Sequence, residues 1–163
     1  DQEMSRGLGD VYKRQVMRVL LQRVSSAKVY VDGKLKGSCA KGLLIFVCAM
    51  KGDDENVVNA LTQKISKLRI FESSEGKMDL TLHDIGGEAL VISQFTLAAD
   101  IKKGNRPGFS SAANPQDANY FYELFIANLK RIKIPTQQGV FGASMKVELL
   151  NNGPATFWLD SNS

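Results

Sequence analysis

Short stretches rich in apolar and β-branched residues recur along the chain, separated by turn signals. Residues 17–24 are rich in strand formers, and residues 27–31 alternate apolar with polar positions. Asp32-Gly33 then supplies a hairpin turn before a strand at 34–38. Residues 43–49, LLIFVCA, form a continuous apolar run. Such a run predicts a central strand buried on both faces.

Two segments have helical periodicity instead. After Asp53-Asp54-Glu55, which offers an N-cap and an acidic first turn, apolar residues recur every three or four positions. They are Val57, Val58, Leu61, Ile65 and Leu68. Asn114-Pro115 starts a second helix, because Asn is a favoured N-cap and Pro a favoured first residue. Its predicted inward face is Ala118, Phe121, Tyr122, Phe125, Leu129 and Ile132, and Pro135 closes it.

The rest of the chain predicts further short strands at 68–71, 78–82, 89–95, 140–150 and 155–159. A sharp turn, Asn-Asn-Gly-Pro, is expected between the last two. About eight short strands with two main helices predict a single-domain, layered α+β fold.

The first sixteen residues differ from the rest. They have no apolar periodicity, and the segment SRGLGDVYKRQ resembles translated adaptor or vector sequence. We therefore expect residues 1–16 to be a non-native leader and 17–163 to be the folded domain. A genuine disordered extension is the alternative.

Composition narrows the classes of protein. A chain with 44% apolar and 23% charged residues is not intrinsically disordered. Its longest apolar run, residues 43–50, is far too short to span a membrane. Two cysteines are too few for a disulfide scaffold or a structural zinc site, so we expect a reducing, cytoplasmic setting. A net charge of +4 weakly favours an anionic partner.

Common catalytic arrangements are missing from the sequence. The single histidine, His83, lies in a polar stretch and is expected at the surface, so a Ser-His-Asp triad has little support. Cys48 lies within the most apolar strand and is expected to be a buried thiol, not a nucleophile.

Two places break local patterns. An apolar strand ends in Ser93, Gln94, Phe95 and Thr96, which place three hydrogen-bonding side chains beside a long connection. Catalytic groups are often found at the junction of a strand and a long loop. On these residues alone, a plain strand end with solvated hydroxyls is the favoured interpretation. In residues 151–154, NNGP, a proline follows a hairpin signal, which opposes regular strand pairing. An ordinary turn is the simpler interpretation of that segment.

A third candidate is the long connection at 98–115. It carries Lys102, Lys103 and Arg106, a basic cluster suited to a nucleic-acid backbone. A solvated charged loop is the alternative.

Five segments, in order, resemble the D-aminoacyl-tRNA deacylases. They are LLQRV, RIFESSEGKM, SQFTLAAD, GNRPGFSSAANP and NNGPATFWL. The resemblance extends from Met17 to about Asp160, and SQFTL together with NxGP-x-T is its most specific part. Ala155 departs from the family pattern, which usually has Val or Phe between the Pro and the Thr.

The resemblance implies a homodimer with a β/β/α layered fold, without metal or cofactor. The implied reaction is hydrolysis of the ester that joins a D-amino acid, or glycine mischarged on alanine tRNA, to the terminal ribose of tRNA. Ser93, Gln94, Phe95 and Thr96 would line the catalytic pocket. Gly153-Pro154 would form a cis dipeptide that enters the partner subunit's pocket and rejects L-amino acids, with Arg23 holding it.

The expected partner is charged tRNA, with neither membrane nor DNA. Two other hypotheses stay open from the sequence. One is a non-catalytic module that binds a tRNA acceptor end. The other is an editing enzyme of opposite chirality with a trans Gly-Pro bond, against which the intact SQFTL and Arg23 argue.

Overall fold

A computed structural model describes residues 16–160 of the chain. The leader interpretation of residues 1–16 therefore falls almost wholly outside the described residues, as does the end of the predicted domain at 161–163. The strands are β1 (Arg18–Val31), β2 (Lys34–Cys39), β3 (Gly42–Cys48), β4 (Phe71–Glu72), β5 (Met78–Leu80), β6 (Glu88–Ser93), β7 (Thr136–Gln138) and β8 (Lys146–Asp160). The helices are α1 (Glu55–Lys67), a 3₁₀ turn (Phe95–Ala98) and α2 (Pro115–Arg131).

The main sheet is organised around β1. Along one edge β1 pairs antiparallel with β8 over most of its length. Along the other edge its first half pairs antiparallel with β3 and its second half with β2. The sheet continues from β3 through parallel β6 to parallel β7, while β4 and β5 form a separate two-stranded ribbon.

Two cores separate three layers. The larger core lies between the helices and one face of β1, β3 and β6, with Leu21, Ile45 and Phe125 at its centre. The second core lies on the opposite face of β3 and β6, where Leu44 and Leu90 meet the second half of β1, together with β2 and the start of β8. This arrangement confirms the predicted layered α+β fold.

Local signals in the sequence fix the turns and helix starts as predicted. Asp32 and Gly33 both have positive φ, +52° and +77°, as a type I′ hairpin requires, and they join β1 to β2. The Asp54 carboxylate accepts the N–H of Val57 at 3.1 Å at the start of α1. Asn114 caps α2 in the same way through the N–H of Asp117, at 2.9 Å.

The strand predictions need four corrections. Residues 146–160 form one fifteen-residue strand, so NNGP is a bulge within β8 and not a sharp turn between strands. The predicted strand at 140–150 begins only at Lys146, and the one at 68–71 is Phe71–Glu72. The polar segment Thr136–Gln138 was not predicted to be a strand; it pairs with the free edge of β6, which satisfies its backbone despite its composition.

No helix within residues 16–160 has the length and hydropathy needed to cross a membrane.

Gly42 generates a prediction about stability. A Cβ at Gly42 would lie 1.9 Å from the Glu88 carbonyl oxygen and 2.7 Å from its nitrogen, because parallel β6 runs close beside it. Gly42→Ala should therefore destabilise the fold by about 2 kcal/mol or more. Urea unfolding followed by circular dichroism measures the change.

Gly108→Ala is the matched control, because the atom nearest to its Cβ would be the Asp100 carbonyl oxygen, 3.9 Å away. We expect that change to stay within about 0.5 kcal/mol of the wild type. Equal stability of the two variants would contradict the close approach at Gly42.

Candidate functional site

The segment Ser93-Gln94-Phe95-Thr96 leaves the sheet at the carboxyl end of β6. The Gln94 N–H still donates to the Val47 carbonyl at 2.8 Å, so the chain is anchored to β3 as it departs. It then enters the 3₁₀ turn, with Phe95 as its first residue. The sheet thus presents this segment at one end of its central strands.

A cavity of about 480 Å³ opens beside that segment. Its walls are mainly apolar side chains drawn from distant parts of the chain. They are Cys48, Ala49, Ile92, Ser93, Gln94, Phe95, Phe109, Ala112, Ala113, Pro115, Ala118, Phe141, Gly142, Ala143, Met145 and Val147. A cavity of this size, with a few polar groups on an apolar wall, suits a small organic moiety.

Three of the four predicted pocket residues line this cavity. Ser93, Gln94 and Phe95 contribute to its wall, whereas Thr96 lies beside it and is exposed. The Thr96 hydroxyl accepts a hydrogen bond from the side-chain amide of Gln94. The sequence motif therefore maps to one continuous rim, with Thr96 at its outer edge.

The 3₁₀ turn is held by residues that sequence reasoning missed. Arg18 Nη1 donates to the Leu97 carbonyl at 2.7 Å, and its guanidinium lies 6.0 Å from the ring of Trp158. The Phe95 ring meets Phe109 edge to face, with centroids 5.0 Å apart. Only the tertiary fold brings these residues together, so no local pattern in the sequence could have identified them.

Cys48 and His83 occupy the places expected of structural residues. Cys48 lies on the cavity wall and is buried; its burial raises the pKa of the thiol to about 11. The thiol is therefore protonated at neutral pH and a poor nucleophile. His83 is exposed, and its Nε2 lies 2.6 Å from the Ile132 carbonyl oxygen, away from the cavity wall. Between residues 16 and 160, no three His, Cys, Asp or Glu side chains gather as metal ligands.

Arg23, Gly153 and Pro154 form a second cluster. Arg23 is only 5% exposed. Its Nε donates to the Asn152 carbonyl at 2.8 Å, its Nη1 donates to the Ile70 carbonyl at 2.9 Å, and its Nη2 lies 3.4 Å from the Glu72 carboxylate. The guanidinium thus ties β1 to the β8 bulge and to the start of β4. The Gly153–Pro154 peptide bond is cis, and both residues are exposed.

The two clusters lie apart within one chain. Arg23 pairs with Leu43 on β3, whereas Arg18, at the cavity end, pairs with Cys48. Five residues of strand span about 17 Å. Neither Gly153 nor Pro154 lines the cavity.

Lys102, Lys103 and Arg106 are all exposed on the loop that leaves the 3₁₀ turn. Two hydrogen bonds between Asp100 and Gly108, at 2.7 and 2.9 Å, close the base of this loop. Phe109 follows directly and lines the cavity. The basic cluster therefore projects from a closed loop that adjoins the cavity mouth.

Comparison with known proteins gives consistent matches. Residues 20–160 match the family model described as D-Tyr-tRNA(Tyr) deacylase. A D-aminoacyl-tRNA deacylase from Cereibacter sphaeroides is 56% identical over 145 residues, covering 89% of this chain and all of that protein. A relative with the same name from Thermomicrobium roseum is 51% identical, covering 89% of this chain and 94% of that protein.

Two solved structures share the fold. One, described as a c-Myc DNA unwinding element binding protein, has a TM-score of 0.83 at 33% identity and covers 88% of this chain and 97% of its own. The other, described as a probable eukaryotic D-amino acid tRNA deacylase, has a TM-score of 0.76 at 16% identity. It covers 89% of this chain and 99% of its own, and it supports the fold alone.

Fold and family match together define a hydrolase that acts on aminoacyl-tRNA ester bonds. Within that class, the chain belongs to the D-aminoacyl-tRNA deacylase family. The resemblance drawn from the five sequence segments is thereby confirmed.

Proposed function

We propose that this protein hydrolyses the ester bond between a D-amino acid and the 3′-terminal ribose of tRNA, releasing free amino acid and tRNA. The observation that carries the proposal is the rim formed by Ser93, Gln94 and Phe95 on the cavity, in a chain that belongs to the deacylase family. The cavity accepts the aminoacylated end of the substrate, and the reaction removes wrongly charged tRNA in the cytoplasm.

Chirality is read by the Gly153-Pro154 turn. D- and L-aminoacyl esters differ only in the directions of the side chain and hydrogen on Cα. A site that accepts many D-amino acids cannot recognise one side chain, so it must exclude the wrong direction instead. Fixed backbone carbonyls collide with an L side chain and leave room for a hydrogen. Glycine has hydrogens in both directions, so glycine mischarged on alanine tRNA is accepted as well.

The chemistry depends on the backbone and the substrate. Phe95 and Thr96 begin the 3₁₀ turn, where N–H groups lack partners within the turn, so they can donate to a developing oxyanion. One such donor typically contributes a factor of about 10²–10³ in rate. The attacking group is water or the substrate's own 2′-hydroxyl. The Thr96 hydroxyl is a poor candidate nucleophile, because it accepts a bond from an amide and is not paired with a base.

The chirality-reading turn acts in the active site of a second subunit. Within one chain the turn is well separated from the cavity along the sheet. It is exposed on β8 between Leu150 and Trp158, which are 62% and 51% exposed. Exposed apolar side chains of this size suit a contact with another copy of the chain. Two-fold symmetry then lets each subunit contribute its turn to the other's cavity.

Lys102, Lys103 and Arg106 contact the phosphates near the acceptor end. They are exposed beside the cavity mouth, and positive charge there attracts a polyanion without reading its sequence. A non-catalytic module that binds the acceptor end would use the same loop, so charge alone does not separate the two hypotheses. Measured release of amino acid from charged tRNA distinguishes the enzyme from the binding module.

The first test is chirality in catalysis. Purified protein should release D-tyrosine from tRNA and leave L-tyrosyl-tRNA intact at the same enzyme concentration, because only the L side chain meets the turn. Thin-layer analysis of labelled tyrosyl-tRNA over time provides the measurement. No release from either substrate would favour the binding module, and preferential release of L-tyrosine would favour the editing enzyme of opposite chirality.

Thr96→Ala tests the role of the hydroxyl. We expect a loss in rate far smaller than the factor of about 10⁶ that follows removal of a true covalent nucleophile. Single-turnover deacylation of D-tyrosyl-tRNA measures it, with Ser110→Ala in the adjoining exposed loop as a control variant. A loss approaching the larger factor would assign covalent chemistry to Thr96.

Mixing two inactive variants tests the shared active site. Gly153→Ala distorts the turn, because its Cβ would lie 2.8 Å from both Arg23 Nη2 and the Ala155 nitrogen at a φ of +147°. Gln94→Ala damages the cavity rim. Each mixed dimer has one site with both lesions and one intact site, so co-refolded subunits should recover about a quarter of wild-type activity.

Each variant refolded alone controls for residual activity. Without recovery in the mixture, the turn would have to act within its own chain.

A further inference from the structure

The β8 bulge is an unusually large interruption of a strand pair. Gln22 pairs with Thr156 and Val24 pairs with Asn151, so four residues, 152–155, stand opposite the single residue Arg23. An ordinary bulge places two residues opposite one. The segment at 152–154 is exposed, so packing contributes little to its shape. Something else must fix its backbone if it is to present carbonyls in constant positions.

Asn151 closes the neck of this bulge with its side chain. Its Oδ1 accepts the Ala155 N–H at 2.8 Å, a bond from one end of the bulge to the other. Its Nδ2 faces three acceptors, namely Ala155 O at 3.3 Å, Thr156 Oγ1 at 3.1 Å and Gln22 Oε1 at 3.1 Å. The side-chain amide thus replaces the backbone pairing that the bulge interrupts.

Asn151 and Arg23 hold different parts of the bulge. Arg23 holds the Asn152 carbonyl near its crown, and Asn151 joins the two ends at its base. With only one of these contacts, the loop could still pivot about it. With both contacts, the backbone of residues 152–154 is held at two points, which keeps its carbonyls in place.

We infer that Asn151 is a positioning residue that sets the discrimination between D- and L-aminoacyl esters. This inference rests on the proposed function and deepens it. Asn151 does not touch the substrate; it acts by holding the Gly153-Pro154 turn at the height and angle where an L side chain collides. Loss of the Asn151 bonds should therefore weaken the rejection of L-aminoacyl esters more than it slows cleavage of D-aminoacyl esters.

Two variants separate the parts of the contact. Asn151→Ala removes every bond. Asn151→Asp is nearly isosteric and retains the acceptor for the Ala155 N–H, but it cannot donate and faces three oxygens instead. Asn56→Ala is the matched control, because it is the same substitution at an exposed position in the first turn of α1.

The measurement is kcat/KM for D- and L-tyrosyl-tRNA with each homodimer. We expect the ratio of D to L to fall by about tenfold or more in Asn151→Ala, the scale of one or two lost hydrogen bonds, and by less in Asn151→Asp. Asn56→Ala should keep the wild-type ratio. Hydrogen exchange of the Ala155 amide gives a readout besides activity. It should accelerate in Asn151→Ala, which loses the acceptor, and change less in Asn151→Asp, which keeps it.

The outcomes separate the two proposals. A wild-type enzyme that discriminates, with Asn151→Ala discriminating equally well, would overturn this inference and leave the proposed function intact. Wild-type protein without D-specific release would overturn the proposed function, and this inference with it. If Asn151→Ala does not fold, Asn151→Asp decides: an unchanged ratio of D to L in that variant overturns the positioning role.

Discussion

The pairing of β1 along both of its edges is the constraint on which the rest of the molecule depends. The strand bonds to β8 on one side and to β3 and then β2 on the other, so its register fixes three other strands at once. A shift of one residue would turn Val19 and Leu21 away from the helices and expose them. The same register places Arg18 beside the 3₁₀ turn and Arg23 inside the bulge. One strand therefore positions both parts of the candidate site.

Buried polar groups then specify the details that apolar packing leaves open. The Arg23 guanidinium is surrounded by protein and meets two carbonyls and a carboxylate, as a buried cation requires. Nearby, Asn151 satisfies backbone groups that the bulge leaves without strand partners. Because Ala155 is buried, leaving its N–H without a partner would be costly, and this favours the conformation in which Asn151 bonds to it. Side-chain hydrogen bonds thus hold both ends of a segment that is itself exposed.

Titratable side chains contribute little at the cavity, and this shapes the chemistry we propose. The Cys48 thiol stays protonated because burial raises its pKa, and the lone histidine is bonded to a carbonyl elsewhere. Backbone amides and a substrate hydroxyl need no tuned pKa, and an aminoacyl ester is already labile. In the function we propose, the site mainly excludes the wrong enantiomer and leaves much of the bond breaking to the substrate. That function would depend on the positions of backbone groups more than on any one side chain.

Short-range signals were readable from the sequence. The hairpin and both helix starts were predictable, because each depends on contacts within four residues along the chain. The residues concerned are Asp32-Gly33, Asp54 and Asn114-Pro115. The motif at 93–96 and the NNGP segment were also visible, since each breaks a local pattern. Whether NNGP is a turn or a bulge could be seen only in the folded chain, because its pairing partner lies about 130 residues away on β1. For the same reason, only the folded chain joins Phe109, Phe141 and Val147 in one cavity wall and brings Arg18 to Leu97. Contacts between distant segments depend on the packing of the whole chain, and no short window of sequence contains that information.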